Sequence, residues 1–312
     1  MSRQMKLAVP DLVSNSYFPA AAAVDLGFFK KEGLDVGLEL IFPVDKCYSA
    51  LRDGAVDFVG GSAHSVLSAF PEWKGAKLLC AQAQGMYWFL IMRADLDPVR
   101  GDLDIVKGRN IGAAPWVEMG LRRLLIEAGY DLIRDNIKIA PVPGAIVGTA
   151  VNFGLMAAKA LEEGKIDGFW ANGMGAEVAV SSGIGKVVLD IRRGDGPAKC
   201  FNYTMASVAT SDALIAREPE AAAAAVRAIV ATQKALKADV KLATEVGRRL
   251  FPEAAAELIA KLIERDLPYY DPVISREFVQ GMNQFSRDVG ILKTYVAYED
   301  VVATGSSQFW TS

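Results

Sequence analysis

Short apolar segments alternate with stretches of helical periodicity along most of the chain, a pattern typical of α/β proteins with mostly parallel sheets. In the first part of the chain, the predicted strands are 6–9, 36–42, 56–59 and 77–83. The predicted helices between them are 18–31, 48–53 and 65–70. This order indicates a β–α unit that is used several times in succession.

The same alternation starts again near Arg109. The second set of predicted strands is 109–113, 137–141 and 166–170, with helices at 118–127 and 151–163. A strand at 204–209 and a helix at 219–237 follow, and the remaining predicted helices are 254–265, 275–289 and 298–306. Two such blocks in series predict two similarly built lobes.

One short motif occurs in both blocks. Leu-Arg-Asp-Gly-Ala-Val-Asp at 51–57 matches Leu-Glu-Glu-Gly-Lys-Ile-Asp at 161–167. Glycine tolerates the left-handed conformation that ends a helix, so Gly54 and Gly164 are predicted to close helices just before a strand begins. The presence of this motif at matching places in both blocks supports two lobes of the same design.

Composition narrows the class of protein. The chain has 312 residues and a hydrophobic fraction of 52%, which is enough for two compact lobes. Its net charge is −3. No run of Lys and Arg exceeds two residues. The basic stripe that nucleic-acid binding requires is therefore missing, and no apolar stretch is long enough for a transmembrane segment.

The cysteines and the histidine point to no metal or cofactor. Cys47, Cys80 and Cys200 are odd in number and widely spaced, and His64 is the single histidine of the chain. A zinc site needs several such ligands close together. We therefore expect buried free thiols and predict no metal and no cofactor.

The chain begins Met-Ser-Arg-Gln-Met, with no apolar stretch before the first predicted strand. Two interpretations follow. Either a secretory signal has been removed and the protein is periplasmic or belongs to the cell envelope, or the native protein stays in the cytoplasm.

Several segments resemble one family in order and spacing. They are Gly27-Phe-Phe with Gly33-Leu-Asp-Val, the Val-Asp-Phe at 56–58, Gly108-Arg-Asn-Ile-Gly, 160–170, and Tyr298-Glu-Asp-Val-Val. Together they resemble the substrate-binding proteins of nitrate/sulfonate/taurine-type ABC transporters, in the superfamily that includes thiamine-pyrimidine synthases. The resemblance runs from about residue 6 to residue 310.

The resemblance implies a two-lobed periplasmic-binding-protein fold of the type II, venus-flytrap kind, with a ligand cleft between the lobes. It places lobe one at 1–88 plus 202–312 and lobe two at 89–201, with crossings near 86–92 and 200–206. It also implies a small organic ligand and an ABC permease as partners, with no catalytic group required.

Ligands of open α/β sheets bind outside the carboxyl ends of the strands, and the resemblance selects the same loops. In lobe one these loops carry Ser14, Ser16, Tyr17, Lys46, Tyr48, Ser62 and His64. Each has a structural alternative: a serine can cap a helix, Lys46 can be solvated, and His64 can be a hydrogen-bonded histidine behind the site.

In lobe two, Pro115 and Trp116 precede a helix, while Trp170 and Asn172 end a strand. The two predicted crossings between the lobes add Trp88 and Tyr203. Each of them could flank the ligand or pack against other side chains of the crossing segments. Glu177 is expected to be a solvated helix residue.

The candidate lining contains aromatic, hydroxyl and amide groups but no arginine. Burying a small inorganic anion among such groups is costly. We therefore expect an organic ligand with an apolar or aromatic body, whose carboxylate or sulfonate is held by backbone N–H groups, serine and Lys46.

An enzyme on the same scaffold is the alternative, resembling thiamine-pyrimidine synthases, desulfinases or enzymes of menaquinone precursors. His64 stands where such relatives place a functional histidine. Against this, Gly60 occupies the position of the cofactor lysine, the cysteine-rich iron segment is absent, and the first loop has Ser14 and Ser16 instead of a nucleophilic cysteine. A cytoplasmic sensor is a third hypothesis, although no output segment accompanies it.

Overall fold

The computed structural model describes residues 4–144 and 152–311 of the chain. Its strands form two separate five-stranded sheets. The strands are β1 Met5–Val9, β2 Val36–Leu40, β3 Phe58–Ser62, β4 Ala76–Ala83, β5 Phe89–Arg93, β6 Asn110–Ala113, β7 Lys138–Ala140, β8 Gly168–Ala171, β9 Gly185–Asp190 and β10 Ala206–Ser211.

The two sheets have the same topology. The first has the order β2-β1-β3-β10-β4 and the second has the order β7-β6-β8-β5-β9. In each, four strands run in the same direction and the strand at the fourth position is reversed: β10 runs antiparallel to β3 and β4, and β5 runs antiparallel to β8 and β9. Both reversed strands enter directly from the other lobe, without the helical crossover that a parallel strand needs.

Helices cover the sheets. They are α1 Phe18–Asp25, α2 Phe28–Lys31, α3 Val44–Arg52, α4 Glu118–Glu127, α5 Phe153–Glu162, α6 Gly173–Ser181, α7 Asp212–Arg217, α8 Pro219–Ala238, α9 Lys241–Leu250, α10 Glu253–Asp266, α11 Arg276–Asp288 and α12 Tyr298–Val301. The longest, α8, carries a run of alanines whose small side chains let it pack closely on α1, α2 and β4.

The two α/β lobes predicted from the sequence are confirmed. The chain passes from the first sheet to the second between Ala83 and Phe89, and returns between Asp190 and Ala206. The lobe limits at 88/89 and 201/202 stay predictions within these connections. Below, the first lobe means the elements around the first sheet and the second lobe those around the second.

Several local predictions were wrong. The helix predicted at 18–31 is two helices, because Gly27 adopts a left-handed φ of 73° between α1 and α2. The segment predicted as a helix at 65–70 is the 3-10 helix Ala63–Ser68. β5 begins within the crossing predicted at 86–92, and the prediction missed β9. Residue 151, the predicted start of a helix, lies outside the described residues.

The repeated motif forms the same junction in both lobes. Asp57 Oδ2 accepts a hydrogen bond of 2.8 Å from the backbone N–H of Lys6, and Asp167 Oδ2 accepts one of 2.9 Å from that of Asn110. Gly54 and Gly164, the predicted helix ends, have left-handed φ values of 73° and 69°. Each aspartate thus joins the start of one strand to the start of its neighbour.

Candidate functional site

A cavity lies between the lobes, at the carboxyl ends of β1, β2, β6 and β8. The centres of water-sized spheres have about 40 Å³ available in it, and the wider empty space of about 410 Å³ includes open solvent. Its lining comes from both sheets and from the crossing segment: Pro10, Asp11, Ser16, Tyr17, Phe42, Val44, Tyr87, Trp88, Ala114, Pro115, Val117, Phe153, Ala171 and Asn172. Most of this surface is aromatic or aliphatic, with a few polar groups among it, as in sites for organic ligands.

Asp11 is the acidic group of this cavity. Only 6% of it is exposed, and its Oδ2 accepts a hydrogen bond of 2.9 Å from Asn172 Nδ2 of the other lobe. Burial raises the pKa of Asp11 to about 8, although Asn172 and the backbone N–H groups of Gly154, Val13 and Phe153 favour the ionised form. Its Oδ1 has no partner with hydrogen-bonding geometry in the described chain.

The loop after β1 supplies further polar groups. Ser16 is 1% exposed and lines the cavity, and its Oγ has no hydrogen-bond partner among residues 4–144 and 152–311. Ser14, by contrast, lies outside the lining, because its Oγ accepts a hydrogen bond of 3.1 Å from the Ser16 N–H. The hydroxyl groups of Tyr17 and Tyr87 are 2.9 Å apart on the cavity wall.

Aromatic rings from both lobes meet at the cavity. The rings of Phe42, after β2, and Phe153, at the start of α5, are stacked with centroids 6.1 Å apart and an interplanar angle of 19°. Tyr87 and Trp88 pack on each other, with centroids 4.8 Å apart. Closed lobes therefore bring together flat apolar surfaces that an open cleft would expose to water.

Of the residues predicted to bind ligand, the structure brings five into this lining: Ser16, Tyr17, Trp88, Pro115 and Asn172. Asn172 also caps α6, since its Oδ1 accepts hydrogen bonds from the N–H groups of Met174 and Gly175. Whether these five contact a ligand stays a prediction.

His64 lies behind the cavity lining, fully buried. Its Nε2 lies 3.0 Å from the backbone oxygen of Trp116, and its Nδ1 lies 2.9 Å from Thr204 Oγ1. The rings of Trp88 and Phe285 also pack on it. Burial lowers the pKa of His64 to about 4. The structural alternative considered for this residue thus matches its surroundings.

The other predicted residues also lie outside the lining. Lys46 is exposed on α3 and contacts no part of the cavity. Tyr48 is buried and donates a hydrogen bond of 3.0 Å to the backbone oxygen of Ser62. The Ser62 hydroxyl is 2.6 Å from that of Ser65.

Three aromatic residues that were predicted to bind ligand pack against other aromatic rings instead. Trp170 is fully buried with its ring against Trp88, at a centroid distance of 6.2 Å. The Trp116 ring lies near the His64 ring, with centroids 6.2 Å apart, and Trp116 does not line the cavity. The backbone of Trp116 is in the left-handed region, with a φ of 70°. Tyr203 stacks on Phe285 with centroids 4.6 Å apart.

Charged side chains join the lobes beside the cavity. Asp266 of α10 is 1% exposed and pairs with Arg192, at 3.3 Å, and Arg193, at 3.1 Å, which follow β9. Glu177 was expected to be solvated, but its carboxylate is mostly buried and pairs with Lys261 of α10 at 2.6 Å. These pairs hold α10 against the second lobe.

The described residues contain no group of His, Cys, Asp and Glu that could hold a metal ion. Cys47, Cys80 and Cys200 are buried free thiols, as expected from their spacing. None of the described helices is long and apolar enough to cross a membrane.

Sequence reasoning missed four important lining residues: Asp11, Phe42, Tyr87 and Phe153. Asp11 lies two residues after the predicted strand 6–9 and Phe42 is the last residue of the predicted strand 36–42, so the strand-end rule could have found them. Tyr87 lies in the segment 86–92, which was predicted only as a crossing between the lobes. Phe153 starts a helix and carries no local signal, because only the closed cleft brings it to Phe42.

No protein-family model matches the sequence, and no curated protein matches it. Solved structures do resemble the fold. A protein of Bordetella bronchiseptica RB50 has a TM-score of 0.78 at 20% identity, covering 98% of this chain and 96% of that one. The alkanesulfonate-binding protein SsuA from Xanthomonas axonopodis pv. citri, bound to MOPS, has a TM-score of 0.70 at 12% identity, with 98% of each chain covered.

An enzyme shares the same architecture. A mutant of the desulfurization enzyme DSZB in complex with biphenyl-2-sulfinic acid has a TM-score of 0.66 at 15% identity, covering 99% of this chain and 97% of that one. The resemblance stated from the sequence is thereby confirmed at the level of the fold. The chain has the two-lobed fold of the substrate-binding proteins of ABC importers, a fold that at least one desulfurization enzyme also uses.

Proposed function

We propose that the chain is a solute-binding protein, which captures a small organic ligand between its lobes and delivers it to an ABC importer. The observation that carries this proposal is the cavity itself, whose lining comes from loops of both lobes and from the crossing segment. Lobes that contact the same ligand bind it better when closed, so the ligand shifts the population toward the closed form.

Two of the structural neighbours were solved with organic ligands, which supports an organic ligand for this chain. SsuA from Xanthomonas holds MOPS, and DSZB holds biphenyl-2-sulfinic acid. In this chain, the apolar and aromatic lining suits an organic body of comparable kind. Delivery to a permease, with a location in the cell envelope, belongs to the same proposal.

The alternative of an enzyme that uses His64 has less support. Both nitrogens of the ring already have partners within the protein, and a histidine with a pKa of about 4 is a weak base at neutral pH. His64 is also fully buried and is not among the residues that line the cavity.

The test is a melting-temperature screen against small organic compounds, followed by titration calorimetry on any compound that stabilises the protein. A ligand present at a hundredfold excess over its Kd stabilises the folded state by about 2.7 kcal/mol. Phe42→Ala and Phe153→Ala should weaken binding, whereas Tyr295→Ala, which removes an exposed ring, should not.

The fate of the ligand decides between binding and catalysis. Mass spectrometry should recover the compound unchanged after long incubation with the protein. Conversion to a product that is lost in His64→Gln would support the enzyme instead, and binding that both phenylalanine variants leave intact would refute the proposed site.

A further inference from the structure

The cavity has an acidic group but no basic one. Among its lining residues in the described chain, Asp11 is the only carboxylic acid, and none is Lys, Arg or His. Lys46, the cation considered from the sequence, is exposed and outside the lining. An anionic ligand would therefore find no basic side chain in the lining to balance its charge.

The polar atoms that remain unsatisfied show what the ligand must supply. Asp11 Oδ2 is taken by Asn172, while Asp11 Oδ1 and Ser16 Oγ, both buried at the cavity, have no hydrogen-bond partner in the described part of the chain. Buried polar groups are nearly always hydrogen-bonded in native proteins, and those at a binding site are satisfied by its ligand.

The surroundings of Asp11 favour its role as an acceptor. Asn172 Nδ2 donates to it, and the nearby backbone N–H groups of Val13, Phe153 and Gly154 also stabilise the ionised form. A ligand donor at Oδ1 would complete this set of donors. A carboxylate or sulfonate in the same place would find no basic side chain in the lining, and it would have to keep Asp11 protonated.

The walls set the shape of the ligand. Tyr17, Tyr87 and Trp88 line the cavity, and aromatic rings attract both flat apolar groups and cations. The serine hydroxyl can donate as well as accept. The lining therefore fits a flat ligand whose edge carries N–H donors beside an acceptor.

On the basis of the proposed function, we propose that Asp11 and Ser16 select a planar organic ligand with neutral or cationic N–H donors, such as an amide or amidine. The same two residues exclude organic anions of the same size. Asp11 Oδ1 accepts from the ligand N–H, and Ser16 Oγ bonds the neighbouring atom of the ligand edge.

Four probes of nearly equal size test this selectivity: benzamidine, benzamide, benzoate and benzenesulfonate. Their affinities are measured by calorimetry with the full chain, the Asp11→Asn and Ser16→Ala variants, and Asp53→Asn as a control. Asp53 is an exposed aspartate remote from the cavity. Because asparagine has the shape of the protonated carboxyl group, Asp11→Asn should still fold.

Benzamidine or benzamide should bind at least about tenfold more tightly than either anion, since a hydrogen bond to a charged group is worth about that factor. Asp11→Asn should remove most of this preference, Ser16→Ala should weaken binding of the donors, and Asp53→Asn should change nothing. Benzamidine should also release a proton on binding near neutral pH, because it ionises Asp11.

Tighter binding of benzoate or benzenesulfonate, lost in Phe153→Ala, would overturn the selectivity while leaving the proposed binding function intact. A preference that persists unchanged in Asp11→Asn would also overturn it, as would the absence of binding by all four probes. A screen in which no organic compound binds at the cavity would refute the proposed function as well.

Discussion

The imidazole Nε2 of His64 lies 3.0 Å from the backbone carbonyl oxygen of Trp116, and this hydrogen bond joins the first lobe to the second. Since a carbonyl oxygen only accepts, Nε2 must carry the proton. Nδ1 is then free to accept a hydrogen bond from the Thr204 hydroxyl at 2.9 Å. The neutral ring fills this position, and it acts as a bridge between the lobes.

His64 should make the protein less stable in mild acid. Its pKa falls from 6.5 to about 4 on folding, so between these values the unfolded chain binds a proton that the folded protein does not. The free energy of unfolding should decrease as pH falls from 6.5 to 4, by up to about 3 kcal/mol from this residue.

The contribution of His64 to the free energy of unfolding can be measured by urea denaturation at several pH values across this window. The wild type is compared with His64→Gln. The variant should lose stability at neutral pH but show a smaller further loss in acid. Equal pH slopes in the two proteins would contradict the prediction.

Asp11 should act in the opposite direction. Its pKa rises from 3.8 to about 8 on folding, so between these values the folded protein holds a proton that the unfolded chain has released. This residue therefore lowers the free energy of unfolding as pH rises from 4 to 8, by about 1 kcal/mol per pH unit. Its ionisable neighbour Tyr17 stays neutral, because burial raises the pKa of that hydroxyl well above 10.

Asp11→Asn carries no such proton and should be more stable than wild type near pH 8, with little difference near pH 4. Chemical denaturation of the ligand-free protein checks this. A stability difference independent of pH would show that Asp11 does not titrate in this range.

Gly175 should tolerate no side chain. A Cβ at this position would lie 2.5 Å from the backbone oxygen of Gly154, where α6 meets α5. Gly175→Ala should cost about 2 kcal/mol through overpacking. Gly305→Ala is the matched control, since Gly305 has nothing within 4 Å of an added Cβ. Thermal denaturation of both variants should separate them, and equal melting temperatures would contradict the close packing.

Asp288 of α11 should favour the closed form, because it pairs with Arg123 of α4 across the lobes at 3.0 Å. Both side chains are less than a quarter exposed, so the pair is worth about 0.5–1 kcal/mol. Asp288→Asn should weaken ligand binding about two- to fivefold by opening the lobes.

Small-angle scattering should show a larger radius of gyration for the ligand-free Asp288→Asn variant. Asp53→Asn, which breaks an exposed pair within the first lobe, is the control. Unchanged scattering together with unchanged affinity would mean that the Arg123–Asp288 pair does not stabilise closure.

The sequence predicted the parts of the fold that depend on local periodicity. Glu118–Glu127 is a helix with the predicted bounds, and Gly54 and Gly164 end helices as their motif requires. The site was harder to predict, since it depends on which strand ends meet across the cleft. Asp11 stands in a loop that sequence reasoning selected, yet only the closed lobes show that Asn172 reaches it.

Trp170 illustrates the opposite error. A tryptophan at a strand end suggested a cavity wall, but the ring packs into the core against Trp88. Strand-end position specifies the loop, whereas the direction of a side chain depends on neighbours from distant parts of the chain.

The reversed strand β10 lies between β3 and β4, and it pairs with both. The first sheet therefore lacks the strand that joins β3 to β4 until residues 206–211 have left the ribosome, whereas all five strands of the second sheet lie between residues 89 and 190. During synthesis the second lobe can complete its sheet first. The strands β1 to β4 are made before β10, so the edges of β3 and β4 stay unpaired until β10 inserts between them.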